Sequence, residues 1–63
     1  MKTLREIKEH HGADKLFQDD NGAIAVFDAK TNRWYWYETD EEGQYICTNT
    51  TNNLGKADEL PAE

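Results

Sequence analysis

The sequence predicts an α+β fold in which a short N-terminal helix packs on a four-stranded antiparallel β-meander, with a polar C-terminal tail. Three observations predict it: a helix-capping pattern at the N-terminus, strand-like segments separated by polar turns from Lys15 onward, and the loss of apolar periodicity after Thr48. At 63 residues the chain has room for one domain. A chain of that size buries only about 60% of its unfolded surface, so a thin core is expected. Residues 1–48 are expected to form the domain, and residues 49–63 an acidic tail that is loose or carries one docked helical turn.

The helix comes first. Thr3 followed by Glu6 matches a capping box, in which side chains satisfy the free backbone N–H groups of a first turn. Leu4, Ile7 and His11 then fall on one face, and Gly12 supplies a stop. A helix this short is marginal alone, so it must dock through Leu4 and Ile7.

Strands are expected at 15–19, 23–28, 33–39 and 44–48. Asn21-Gly22 is the strongest turn signal, because both residues accept the positive φ of a two-residue hairpin loop. Asp28 to Asn32 makes the second turn and Asp40 to Gly43 the third. Beyond Asn49-Thr50-Thr51-Asn52-Asn53, only Leu54, Ala57 and Leu60 return at helical spacing, before Pro61.

Residues directly opposite in a ladder share a face, so loop length fixes which side chains meet. A two-residue loop at Asn21-Gly22 pairs Phe17 with Val26 and Leu16 with Phe27. A four-residue second turn pairs Phe27 with Trp34 and Val26 with Tyr35. An even-numbered third loop sets Ile46 with Tyr35 and Tyr37, and Cys47 with Trp34 and Trp36. The aromatic run Trp34-Tyr35-Trp36-Tyr37 thereby divides between two faces. The expectation is that the Trp pair lies under the helix beside Ala25, leaving the Tyr pair at the surface.

Charge narrows the function classes. Residues 1–33 are balanced, whereas residues 34–63 hold Lys56 alone against seven carboxylates, so the whole net charge of −6 lies in the second half. Such a surface repels phosphate backbones and anionic lipid and attracts basic partners, so neither duplex nucleic acid nor a membrane is an expected partner. The lone Cys47 has no internal disulfide partner, and the N-terminal residues lack the apolar run of a signal peptide. A cytoplasmic location is the resulting expectation.

No residue pattern identifies a reaction. His10, His11 and Asp14 offer metal-ligand atom types without a fourth ligand, and histidines in a last helical turn suit the helix dipole. The loops Asp19-Asp20-Asn21-Gly22 and Glu38-Thr39-Asp40-Glu41-Glu42-Gly43 lack the alternating ligands of a calcium loop. No metal, cofactor or catalytic residue is therefore expected.

One constellation remains: Tyr35 and Tyr37 beside Glu38, Asp40, Glu41 and Glu42. Aromatic rings supply contact area, and carboxylates at the rim steer a Lys- or Arg-rich partner. The expected function is a non-enzymatic acidic protein-binding module, an inhibitor of a larger protein with a basic, nucleic-acid-binding surface. In general profile alone it is similar to the small acidic accessory proteins that phages encode. Two alternatives are a stacking platform in which Trp34, Trp36 and Tyr45 hold single-stranded bases or sugars, and a structural homo-oligomer such as a homodimer.

Overall fold

The structure, a computed structural model, describes residues 1–61. It has one helix, α1 (Leu4–His11), and five strands: β1 (Leu16–Asp19), β2 (Ile24–Asp28), β3 (Arg33–Thr39), β4 (Tyr45–Thr51) and β5 (Ala57–Glu59). The strands form a single antiparallel sheet in the order β4-β3-β2-β1-β5. The α+β class and the four-strand meander are as expected; the fifth strand is not.

Thr3 caps α1, its Oγ1 accepting from the Glu6 N–H at 3.2 Å. Gly12, left-handed at φ 62°, ends the helix by donating to the Glu9 carbonyl. Ile7 is fully buried and His11 is 7% exposed, so the face read from Leu4, Ile7 and His11 is the face that docks. It lies on the sheet over Leu16, Ile24, Val26 and Tyr37, which complete the buried cluster.

Two of the three hairpin registers depart from expectation, for one reason. Leu16 pairs with Val26 and Phe17 with Ala25, because the first loop has three residues rather than two. Asp19 dictates this: its Oδ1 accepts from the N–H of Asn21 and of Ala23, both at 2.9 Å, and Gly22 closes the loop at φ 90°. The third loop repeats the device. Asp40 Oδ1 accepts from Glu42 and Gln44 N–H at 2.9 Å, Gly43 sits at φ 80°, and Tyr37 consequently pairs with Cys47 and Glu38 with Ile46. A one-residue change inverts every side chain of the affected strand. Leu16, Tyr45 and Cys47 therefore join the helix side, and Phe17 and Ile46 the other. The second loop has the expected four residues, pairing Phe27 with Trp34 and Val26 with Tyr35.

The placement of the aromatic run is corrected as well. The Tyr pair, not the Trp pair, lies under the helix, because Tyr37 and Tyr35 pair with the core residues Ile24 and Val26. Trp34 and Trp36 stand half-buried on the opposite face with Phe17 and Phe27.

The expected tail is also revised. Strand β4 runs three residues past Thr48, through a register shift opposite Trp36 and Tyr37, and Trp36 Nε1 donates to Thr51 Oγ1 at 2.9 Å. Instead of a loose segment or helical turn, Ala57–Glu59 pairs with β1 along the far edge. Leu60 donates to the Leu16 carbonyl at 2.8 Å and packs against the core. Residues 62 and 63 of the expected tail lie outside the described residues.

Candidate interaction surface

The structure separates the six residues expected to form one contact surface. Tyr37 is only 4% exposed. Its hydroxyl lies 2.6 Å from His11 Nε2, and the Nδ1 of the same ring lies 2.9 Å from Asp28 Oδ2. With Nδ1 carrying the proton toward the carboxylate, Nε2 accepts from the tyrosine hydroxyl, and both ring nitrogens are satisfied. The imidazole also stacks on Tyr35, with ring centroids 4.6 Å apart, while the Tyr35 hydroxyl donates to Thr31 Oγ1 at 3.1 Å. The tyrosines thus belong to a clamp between helix and sheet, which withdraws Tyr37 from any contact surface and half-buries Tyr35.

The electrostatics of the clamp follow from its geometry. The hydrogen bond from His11, aided by the Lys30 and Thr31 N–H groups on Oδ1, holds the Asp28 carboxyl below its ordinary range. Burial, with smaller contributions from Cys47, Tyr35 and Asp28, pushes the Tyr37 phenol up. A carboxylate, an imidazole and a hydroxyl in series resemble the relay of a hydrolase, but that chemistry needs a hydroxyl open to substrate. The clefts described below are lined by none of the three. The arrangement holds the helix end to β2 and β3.

Glu38, Asp40, Glu41 and Glu42 are exposed at the C-terminal end of β3, Glu38 following Tyr37 directly but pointing to the other face. Asp40 is engaged in shaping its own turn, which leaves Glu38, Glu41 and Glu42 as the outward charges. Glu38 shares its face with Ile46 and the Trp pair, since it lies directly across from Ile46. Through Glu38 the acidic segment reaches the tryptophan side of the sheet.

That side is only partly covered. The chain leaves β4 at Thr51 and enters β5 opposite Asp19, so residues 52–56 cross the sheet diagonally. Thr51 fixes the start of the crossing: its hydroxyl accepts from Trp36 and donates to the Asn53 carbonyl at 2.8 Å. Between the crossing and the sheet lies a cleft of about 580 Å³, whose lining includes Trp36, Ala23, Asp19, Glu38, Leu54 and Lys56. Two acidic residues and one lysine thus share the lining with the indole. Toward the second turn, an apolar groove of about 430 Å³ is lined by Phe17, Phe27 and Trp34 together with Ala13, Lys15 and Ala29. Its rings meet edge-on or tilted, with Trp34 centred 5.4 Å from Phe17 and 5.2 Å from Phe27.

Sequence reasoning missed the roles of His11, Phe17 and Phe27. His11 carried the one available signal, since it falls in register with Leu4 and Ile7 on the docking face. Among the described residues no group of three or more His, Cys, Asp and Glu side chains is placed to hold a metal ion, and no helix is long and apolar enough to cross a membrane. Comparison of the chain with protein-family models, with curated proteins and with solved structures gave no match.

Proposed function

We propose that this chain is a non-enzymatic acidic protein-binding module that uses its tryptophan face and the adjoining acidic turn. The partner presents a basic, nucleic-acid-binding surface, which the module occupies as an inhibitor. One observation carries the reading: half-buried Trp36 and the exposed carboxylate residue Glu38 line the same open cleft, with Asp19 at its far side. A Lys or Arg side chain entering there stacks its cation on the indole, worth about 0.5–2 kcal/mol, and meets carboxylates at the rim. The Phe17, Phe27 and Trp34 groove supplies apolar contact area beside it. Glu41 and Glu42 extend the negative field outward and steer the approach. A reducing compartment such as the cytoplasm suits this reading, because Cys47 is exposed and free.

The same rings would serve a stacking platform for single-stranded bases or sugars, but the carboxylates around Trp36 oppose phosphate. Tryptophan fluorescence separates the two readings. Arginine- and lysine-rich peptides are expected to shift the emission, less so as salt rises, and Glu38→Lys with Trp36→Phe is expected to weaken the effect. Silence toward basic peptides would overturn the proposal, and a response to single-stranded oligonucleotides or oligosaccharides alone would favour the platform.

A further inference from the structure

The two edges of the sheet are built on opposite rules. Edge strands left open invite pairing with another chain, and proteins guard them by shortness, charge or proline. Strand β5 obeys, with three residues of which Asp58 and Glu59 are acidic. Strand β4 does not: Tyr45–Thr51 is seven residues long and contains neither a charge nor a proline, in a chain that is 32% charged. Its residues 46–50 are all exposed, including Ile46, the large apolar side chain left 47% open.

The outward groups of β4 are already used for pairing at one position. The Tyr45 N–H donates to the Met1 carbonyl at 2.7 Å, and the N-terminal ammonium donates to the Tyr45 carbonyl at 3.1 Å. Met1 thus acts as a one-residue extra strand, and no strand pairs with the outer edge from Ile46 to Thr51 among the described residues. Only local bonds form there, the Thr50 N–H donating to Asn49 Oδ1 at 2.9 Å and Cys47 Sγ to the Asn49 carbonyl at 3.6 Å.

Charge states what fits there. At the Tyr45 end of β4 the turn presents Glu41 and Glu42, with Glu38 close by. At the Thr51 end stands the second turn, where exposed Arg33 lies one position beyond the Trp34–Thr51 pair and exposed Lys30 lies further along the loop. Neither cation takes part in an ion pair among the described residues. The N-terminal ammonium on the Tyr45 carbonyl and neighbouring Lys2 offset part of the carboxylate charge of Glu38, Asp40, Glu41 and Glu42, so the sheet remains net acidic at one end of this edge and is basic at the other. A copy rotated by a two-fold axis and laid antiparallel brings each acidic turn to the other's basic turn, which makes the edge self-complementary.

We propose that two copies of this chain associate through antiparallel pairing of their β4 edges, with Glu41 and Glu42 of each copy facing Arg33 and Lys30 of the other. The contact is isologous, so it consumes the open edge of both copies, and the short acidic β5 edges end the assembly at a dimer. The register shift within β4 confines regular pairing to short runs on either side of it, and the interface is small. Association is accordingly weak and concentration-dependent. The −6 charge of each copy opposes approach at long range, but charges more than about 8 Å apart are largely screened at physiological salt.

Sedimentation velocity on the purified chain tests this over roughly 10 µM to 1 mM, the range of a weak contact. The weight-average mass is expected to rise with concentration from 7.3 kDa toward twice that value. Two double variants, Glu41→Lys with Glu42→Lys and Lys30→Glu with Arg33→Glu, alter only exposed side chains, and circular dichroism verifies that each stays folded. Each alone is expected to weaken association at least about fivefold, and an equimolar mixture of the two to restore it as a heterodimer. In the wild type, amide exchange at residues 46–51 is expected to slow as the dimer forms. A monomer throughout the range, or a dimer equally strong in both variants, would overturn the proposal.

Discussion

At the scale of single residues, the most informative side chain is His11. It occupies an apolar helical face, yet both of its ring nitrogens are satisfied inside the core, by Asp28 and Tyr37, and among the described residues no buried side-chain nitrogen or oxygen lacks a partner. Removing one member leaves another stranded, which costs more than the bond itself contributes. Tyr37→Phe keeps the ring and deletes only the hydroxyl, so Nε2 of His11 loses its donor, and the variant is expected to be less stable by about 1–3 kcal/mol in urea unfolding. A second readout follows from the raised phenol. A phenol that ionises less readily in the folded state than in the unfolded chain contributes stability that is complete below about pH 10 and falls as pH rises through the folded value. Tyr37→Phe removes that group, so its stability is expected to fall less steeply above pH 10 than that of the wild type. Equal stability would mean that the hydrogen bond is not formed, and an unchanged alkaline limb that the phenol is not buried.

At the scale of elements, aspartate governs the hairpins. Asp19, Asp28 and Asp40 each open a turn, and each places Oδ1 on two N–H groups of its own loop. Element order and strand positions were legible because turn residues and apolar alternation are local signals. Register was not fully legible, because Asn21-Gly22 fits a two-residue loop as well as the last two positions of a three-residue loop, and the choice rests on a carboxylate two residues earlier. The candidate surface inherited that ambiguity: its acidic half was read correctly as exposed, and its aromatic half was assigned to the wrong side of the sheet. Strand β5 left almost no signal, since an edge strand of three residues has no period to detect. If aspartate sets the register, Asp40→Ala and Gly43→Ala are each expected to cost about 1 kcal/mol, the first by freeing two N–H groups and the second by forcing a Cβ into φ 80°. Neighbouring Glu41→Ala is expected to stay within about 0.5 kcal/mol of wild type. Chemical denaturation of the three variants measures the contrast, and equal effects at all three positions would remove the special role of the aspartate.

At the scale of the whole molecule, the fold faces a shortage of covering layers. One eight-residue helix shields one face of a five-stranded sheet, and among the described residues the other face has only the crossing segment 52–56. The chain end therefore acts as a staple. It passes over Trp36, pairs Ala57, Asp58 and Glu59 with Asp19, Gln18 and Phe17, and brings Leu60 onto the core. A domain of this length has a total stability of roughly 3–9 kcal/mol at 0.05–0.15 kcal/mol per residue. Ending the chain at Asn53 deletes the β1–β5 ladder, whose hydrogen bonds contribute about 0.5–1.5 kcal/mol each, and the burial of Leu60, worth about 1–2 kcal/mol. It also exposes β1 as a new edge bearing Leu16 and Phe17. The loss approaches the whole margin, so the truncated chain is expected to melt at least about 10 °C lower or to be unfolded at room temperature. Thermal melting followed by circular dichroism decides it: a midpoint within about 2 °C of the full chain would show that the helix and meander stand without the staple.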